Sequence, residues 1–175
     1  YGQQIGGRLE DMASFAKYVG GCPANIAVGA ARLGLKSALL SRVGDEHMGR
    51  FVREQLMREG VDTSHLATDP RRMTALVILG IRDRETFPLI FYRENCADMA
   101  LEDSDVSGDF IGSARALVVT GTHFSTPGVA AASSKAMTLA KTSGTEIILD
   151  IDYRPVLWGL GGHGTGEVRF VDSAA

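Results

Sequence analysis

A glycine turn running straight into a tight helix constrains this chain more than any other stretch. It is Val19 to Gly34, Val-Gly-Gly-Cys-Pro-Ala-Asn-Ile-Ala-Val-Gly-Ala-Ala-Arg-Leu-Gly. Gly20 and Gly21 open backbone angles that side chains forbid, and they let a ligand approach the main chain closely. Pro23 suits a first helical turn, where its missing N–H costs nothing. Asn25 follows, placed to aim a polar side chain at whatever lies over the glycines. Ile26, Ala30 and Leu33 recur at helical spacing. Ala24, Ala27, Gly29 and Ala31 are small, so the helix can lie close to a sheet. Gly34 stands where a helix C-terminus favours glycine. The same string also reads, without any ligand, as a buried Ala-rich helix after an ordinary turn.

Beyond this stretch the pattern alternates. Ser37 to Val43 reads as a short buried strand, and Asp45 as the N-cap of the next helix. Met48, Phe51, Val52 and Leu56 share one face of that helix, with Arg50, Arg53, Glu54 and Arg58 largely opposite. Gly60 closes it. Ala116 to Thr120 is a strand ending in Gly121. Pro127 opens a helix with Val129, Ala132, Ala136, Leu139 and Ala140 inward, closed by Gly144. Glu146 to Asp150 is the next strand. Helices alternating with strands imply a parallel α/β sheet. Between these blocks, Met73 to Ile81 and Phe87 to Arg93 are β-rich runs joined by a short polar connector, which signals an antiparallel hairpin. Pro88 confines its strand to an edge or a strand start. Tyr1 to Tyr18 is polar and irregular.

Composition narrows the function classes. The chain has 175 residues, 45% of them hydrophobic, enough for one domain with a core. The net charge is -3 and no Lys/Arg run occurs, which argues against nucleic acid as a partner. No apolar run reaches the roughly 18 residues of a membrane span. Arg8, Glu10, Asp11 and Lys17 leave no apolar segment for a signal peptide. Cys22 and Cys96 make no disulfide framework and point to reduced thiols and a cytoplasmic location. His47, His65, His123 and His163 match no zinc spacing.

In open α/β sheets ligands bind beyond the carboxyl ends of the strands. Gly121-Thr122-His123 and Asp152-Tyr153-Arg154 fall there. The Asp150/Asp152 pair reads either as a thin metal site or as a cap on backbone after a strand. Arg93 reads as a solvated or salt-bridged edge arginine if taken alone. Gly159-Leu160-Gly161-Gly162-His163-Gly164 fits G-x-G-x-x-G by letter, but no clean strand precedes it and no amphipathic helix follows. It reads as a flexible loop.

Gly20-Gly21, Asn25, Gly34 and Gly44 together resemble the N-terminal signature of the ribokinase/phosphofructokinase B family of sugar kinases. The string Asp-x-Asp-x-Arg-x-x-Leu-Trp at 150–158 resembles that family's Asp-x-Asn-x-Arg-x-x-Leu-Trp, with Asp152 where Asn is usual. The matching stretches are Tyr18 to Thr63, Thr86 to Leu101, Val119 to Val129 and Leu149 to Leu160. The resemblance implies an α/β fold, a ribokinase-like doubly wound sandwich with a small β-sheet lid. This chain would be the N-terminal, sugar-binding portion of one carbohydrate-kinase domain over residues 1–175, with the lid hairpin at about 73–93. In the family such a lid often mediates dimerisation.

The same resemblance implies substrate-binding roles for Gly20, Gly21, Asn25, Arg93, Asp152 and Arg154. Asn25 would bond a sugar hydroxyl. In members that phosphorylate sugar acids, arginines at the Arg93 and Arg154 positions approach the substrate and would meet a carboxylate or keto oxygen, a task suited to guanidinium forks. Around a neutral sugar the two guanidiniums would be desolvated without a partner. The implied reaction moves the γ-phosphoryl of ATP, with Mg²⁺ on the phosphates, onto a primary hydroxyl of a keto-deoxy sugar acid of inositol breakdown. The family's catalytic base is the Asp of a Gly-x-Gly-Asp motif, and no such motif occurs from Tyr1 to Ala175. The base and the nucleotide site are therefore expected beyond Ala175, a first strand is expected before Tyr1, and the chain alone is expected to be inactive. The alternatives are a kinase for 2-keto-3-deoxygluconate, fructose or ribose, or a non-catalytic sugar-binding or dimerising module.

Overall fold

The computed structural model describes residues 1–160. The segment from Gly161 onward, with most of the glycine-rich Gly159 to Gly164 string, lies outside the described residues. The described chain forms two compact units, one of Tyr1–Tyr18, Leu76–Tyr92 and the stretch from Pro155, the other of Val19–Ala75 and Arg93–Arg154.

The second unit carries the α/β alternation. Helix α1 (Cys22–Arg32) precedes β1 (Ser37–Ala38) and β2 (Ser41–Gly44), then come α2 (His47–Arg58), β3 (Val61–Asp62) and β4 (Leu66–Asp69). β1 pairs with β3 and β2 with β4, both in parallel. The single strand expected over Ser37–Val43 is thus two, broken at Leu39-Leu40, each half with its own partner. β3 and β4, too short and polar to stand out by pattern, supply those partners. The core here is Ala24, Ala27, Leu39, Val43, Leu56, Val61 and Leu66. Ala24 and Ala27 let α1 lie close to the strands. Leu33 is 84% exposed, so the inner face of α1 runs through the alanines instead. Burying Leu56 completely stabilises by about 1.5–3 kcal/mol.

Helix α2 is capped by Glu46 rather than Asp45. The Glu46 carboxylate accepts from the backbone N–H groups of Met48 at 2.5 Å and Gly49 at 3.0 Å. Gly49 is required where it stands, since a Cβ there would lie 2.0 Å from the Gly44 carbonyl oxygen.

The second half of this unit matches the pattern closely. After the short α3 (Gly108–Gly112), β7 (Ala116–Thr120) leads through a 3₁₀ turn to α4 (Pro127–Ser143) and β8 (Glu146–Asp150). β7 and β8 are parallel neighbours, with Ala116 opposite Glu146 and Thr120 opposite Asp150. Val129, Ala132, Ala136 and Ala140 of α4 are buried with Leu101, Val106 and Ile111. Gly144, at φ 75°, ends the helix.

The first unit holds the antiparallel hairpin of β5 (Leu76–Leu79) and β6 (Leu89–Tyr92), with Leu76 opposite Tyr92. Asp83 Oδ1 accepts from the N–H groups of Glu85 and Thr86 at 2.8 and 2.7 Å and builds the connecting turn. The irregular opening segment joins this sheet: Gly2 N–H donates to Leu79 O and Gly6 N–H to Ile81 O. A groove of about 500 Å³ runs beside Arg8, Phe15, Ile78, Arg82, Pro88 and Leu89, all of this unit. None of the expected site residues lines it. No helix among the described residues is long and apolar enough to cross a membrane.

Candidate functional site

The ends of β7 and β8 and the start of α1 converge within the second unit. Gly21 is the residue before α1, at φ 90° and ψ 141°, a conformation open to glycine and little else. No side chain caps this helix start. Gly20 and Gly21 are exposed, and a Cβ on either would meet nothing within 4 Å. Asn25 is exposed one turn on, and its N–H donates to Gly21 O at 2.9 Å.

The close approach that demands glycine occurs at Gly121 instead. A Cβ there would lie 1.9 Å from the Ile151 carbonyl oxygen. That contact brings the segment after β7 against the segment after β8. Thr122 Oγ1 donates a long 3.4 Å bond to Asp152 Oδ2, and Arg154 Nε lies 3.1 Å from Asp152 Oδ1. Asp152 has φ 33°, a left-handed backbone that Asn and Asp accept more readily than other side chains. The usual Asn and the Asp152 found here therefore meet the same backbone demand.

Cys22, the first residue of α1, donates its thiol to Asp150 Oδ2 at 2.8 Å. Burial, this bond and the charges of Asp152 and Asp150 push its pKa up to about 12, against a smaller opposing pull from Arg154. Arg93 lies just beyond β6 rather than in it, and its Nε donates to Asp98 Oδ2 at 2.5 Å. The imidazole of His123 is held below its ordinary pKa by burial and then by the Arg93 charge, with Asp98 and Asp152 opposing. His123 thus lies within electrostatic reach of Arg93, Asp98 and Asp152.

The structure brings the start of α1, next to Gly20 and Gly21, together with Asp152 and Arg154 at the ends of β7 and β8, and pairs Arg93 with Asp98. Asn25 stands exposed in the first turn of α1. Cys22, bonded to Asp150, and Asp98, bonded to Arg93, were not foreseen. The only signals for them were a Cys directly after Gly-Gly and an Asp five residues after Arg93. One expectation needs correcting. Both guanidiniums already have carboxylate partners within the chain, Asp98 and Asp152, so neither is left uncompensated when no anion is bound.

The profile of the pfkB family carbohydrate kinases matches residues 3–160. The chain belongs to that family. Among curated relatives, this pfkB chain is 40% identical over 151 residues to a 5-dehydro-2-deoxygluconokinase of Geobacillus kaustophilus, covering 86% of the chain and 45% of that protein. It is 38% identical to the Bacillus subtilis protein of the same description, over 86% of the chain and 46% of the relative. The pfkB chain therefore spans about half the length of the curated relatives it matches. Among solved structures, a PfkB protein from Polaromonas sp. JS666 is similar with a TM-score of 0.82 and 31% identity, over 88% of this chain and 53% of that one. A sugar kinase from Pyrococcus horikoshii in complex with ATP is similar with a TM-score of 0.81 and 28% identity, over 89% of this chain and 51% of that one. These neighbours carry the ribokinase-like fold, and this chain covers about half of each.

Proposed function

We propose that this chain is the sugar-binding half of a cytoplasmic, ATP-dependent kinase that phosphorylates 5-dehydro-2-deoxy-D-gluconate in myo-inositol catabolism. One observation supports this reading: the start of α1, beside the open Gly20-Gly21 turn, and the Asp152–Arg154 pair stand at the carboxyl ends of β7 and β8, where α/β proteins bind ligands. The names of the relatives support the choice of substrate. In this proposal the exposed turn admits the sugar against bare backbone, and Asn25 accepts or donates a bond at its rim. The Arg93 and Arg154 guanidiniums face the acid's carboxylate or keto oxygen. ATP, with Mg²⁺ on its phosphates, supplies the phosphoryl group. Among the described residues no group of three His, Cys, Asp or Glu side chains is arranged to hold a metal ion, so no ligand to Mg²⁺ is assigned here. The proposed partners are the sugar acid, ATP and, through the β5–β6 hairpin, a second copy of the protein.

A specific observation favours a second reading. Arg93 and Arg154 are paired within the chain, so a neutral sugar such as fructose would strand no charge. A coupled ADP-release assay on the full-length protein separates the two. We expect kcat/KM to be highest for 5-dehydro-2-deoxygluconate among that acid, 2-keto-3-deoxygluconate, fructose and ribose. A higher value for fructose overturns the acid-substrate reading. The chain 1–175 assayed alone is expected to release no ADP in response to any of the four.

A further inference from the structure

Two acidic side chains of the second unit are treated very differently. Asp69 is 2% exposed and satisfied on both oxygens. Its Oδ1 accepts from the N–H groups of Arg71 and Arg72 at 2.8 and 3.0 Å, and its Oδ2 faces Arg72 Nη1 at 3.0 Å and Arg42 Nη1 at 3.7 Å. The fold accounts for all of it. Asp98, whose side chain is 19% exposed, uses Oδ2 on Arg93 Nε, while its buried Oδ1 has no hydrogen-bond partner among the described residues. A desolvated carboxylate oxygen without a donor costs free energy that a merely structural ion pair avoids.

The backbone that carries Asp98 is tied down on both sides. Asn95 stands at φ 50°, and its Oδ1 accepts from Arg72 Nε at 3.1 Å. Ala97 is fully buried and donates its N–H to Met73 O at 2.9 Å. A fixed turn therefore presents the carboxylate to Arg93, whose side chain is itself 16% exposed. His123, within electrostatic reach of both, is held toward its neutral form, so it does not compete as a second cation for Asp98.

We propose that Asp98 is a positioning residue for Arg93: its Oδ2 holds the guanidinium by the Nε edge and leaves the two terminal nitrogens for an oxygen of the sugar. The proposal rests on the sugar-binding role given to this site above. A guanidinium fixed on one edge keeps its other edge in register for a planar oxyanion, and the loss of rotamer freedom is met in folding rather than in binding.

The test is a double-mutant cycle in the full-length protein, with Arg93→Ala, Asp98→Asn and the two combined. It is run on whichever sugar the wild-type protein phosphorylates best, so a different substrate overturns the proposed specificity without touching this test. Asp98→Asn, which keeps the shape and removes the charge, is expected to raise KM for the sugar about tenfold and leave KM for ATP within about twofold. The combined variant is expected to be no worse than Arg93→Ala alone, because Asp98 acts only through Arg93. Asp98→Glu keeps the charge one methylene further out and is expected to retain sugar KM within about threefold of wild type. Effects that multiply in the combined variant overturn the proposal. So does a lowered melting temperature in Asp98→Asn with sugar KM unchanged.

Discussion

The thiol of Cys22 donates a 2.8 Å hydrogen bond to Asp150 Oδ2, joining the first residue of α1 to the last residue of β8 across 128 positions of sequence. Two opposed effects meet at this sulfur. A helix N-terminus ordinarily favours a thiolate. Here burial and the neighbouring Asp150 and Asp152 win, and the pKa stands at about 12.

Cys22 should consequently resist alkylation. At pH 7.5 its thiolate population is on the order of a thousandfold below that of a thiol at the ordinary value of 9.0. Iodoacetamide labelling of the folded protein followed by peptide mass spectrometry is expected to leave Cys22 unmodified when exposed thiols are already labelled. Asp150→Asn is expected to speed the reaction by removing one of the two carboxylate charges.

Gly20 and Gly21 separate backbone strain from ligand contact. Gly21→Ala places a side chain at φ 90° and is expected to lose about 1–3 kcal/mol of stability in urea unfolding. Gly20 has no such φ and no neighbour for a Cβ, so Gly20→Ala is expected to stay within about 0.5 kcal/mol of wild type. Calorimetric titration of the full-length Gly20→Ala variant then reports on the sugar alone: weakened sugar binding with ATP binding intact is the expected outcome. Unchanged sugar affinity would show that the sugar does not lie against this turn.

Gly121→Ala should be among the most damaging single-methyl additions in the chain. The new Cβ would sit 1.9 Å from Ile151 O, a backbone atom that can move only by parting the ends of β7 and β8. Overpacking of this kind costs about 1–3 kcal/mol and sometimes more. A shift of the urea midpoint checks it. Gly128→Ala, where a Cβ meets nothing, is the control.

His123 gives the site a pH signature. Its folded pKa lies below the ordinary 6.5, mainly through burial and then through Arg93, so the unfolded chain binds more protons as pH falls. The contribution to stability is complete above pH 6.5 and is lost as pH falls from there through the folded value. Urea midpoints of the full-length protein at pH 7.5, 6.5 and 5.5 are expected to fall over this window in wild type. They should fall less in His123→Gln. Parallel curves for the two proteins would remove His123 as the cause.

The long elements were legible because one physical rule governed each. β7, α4 and β8 follow hydrophobic period, a proline at the helix start and a glycine at its end, and their boundaries fall where those residues stand. The hairpin was legible for the same reason. β3 and β4 were not, because Val61-Asp62 and Leu66–Asp69 are held by pairing with β1 and β2 rather than by local pattern. Glu46 displaced Asp45 as the cap because its longer side chain reaches two helix N–H groups and Thr74 N–H besides. In the site, Arg93, Asp152 and Arg154 were visible through family strings. Cys22 and Asp98 were not, since each takes its part from a partner that only the fold brings near.

The Cys22–Asp150 bond also has a meaning in time. A ribosome adds roughly 5–20 residues per second, so the 128 positions between donor and acceptor take on the order of ten seconds to emerge. Over that interval the Cys22 thiol is outside the ribosome before the strand that carries its acceptor has been made. The raised pKa of Cys22 thus depends on burial and on a partner, Asp150, that the chain adds only with β8.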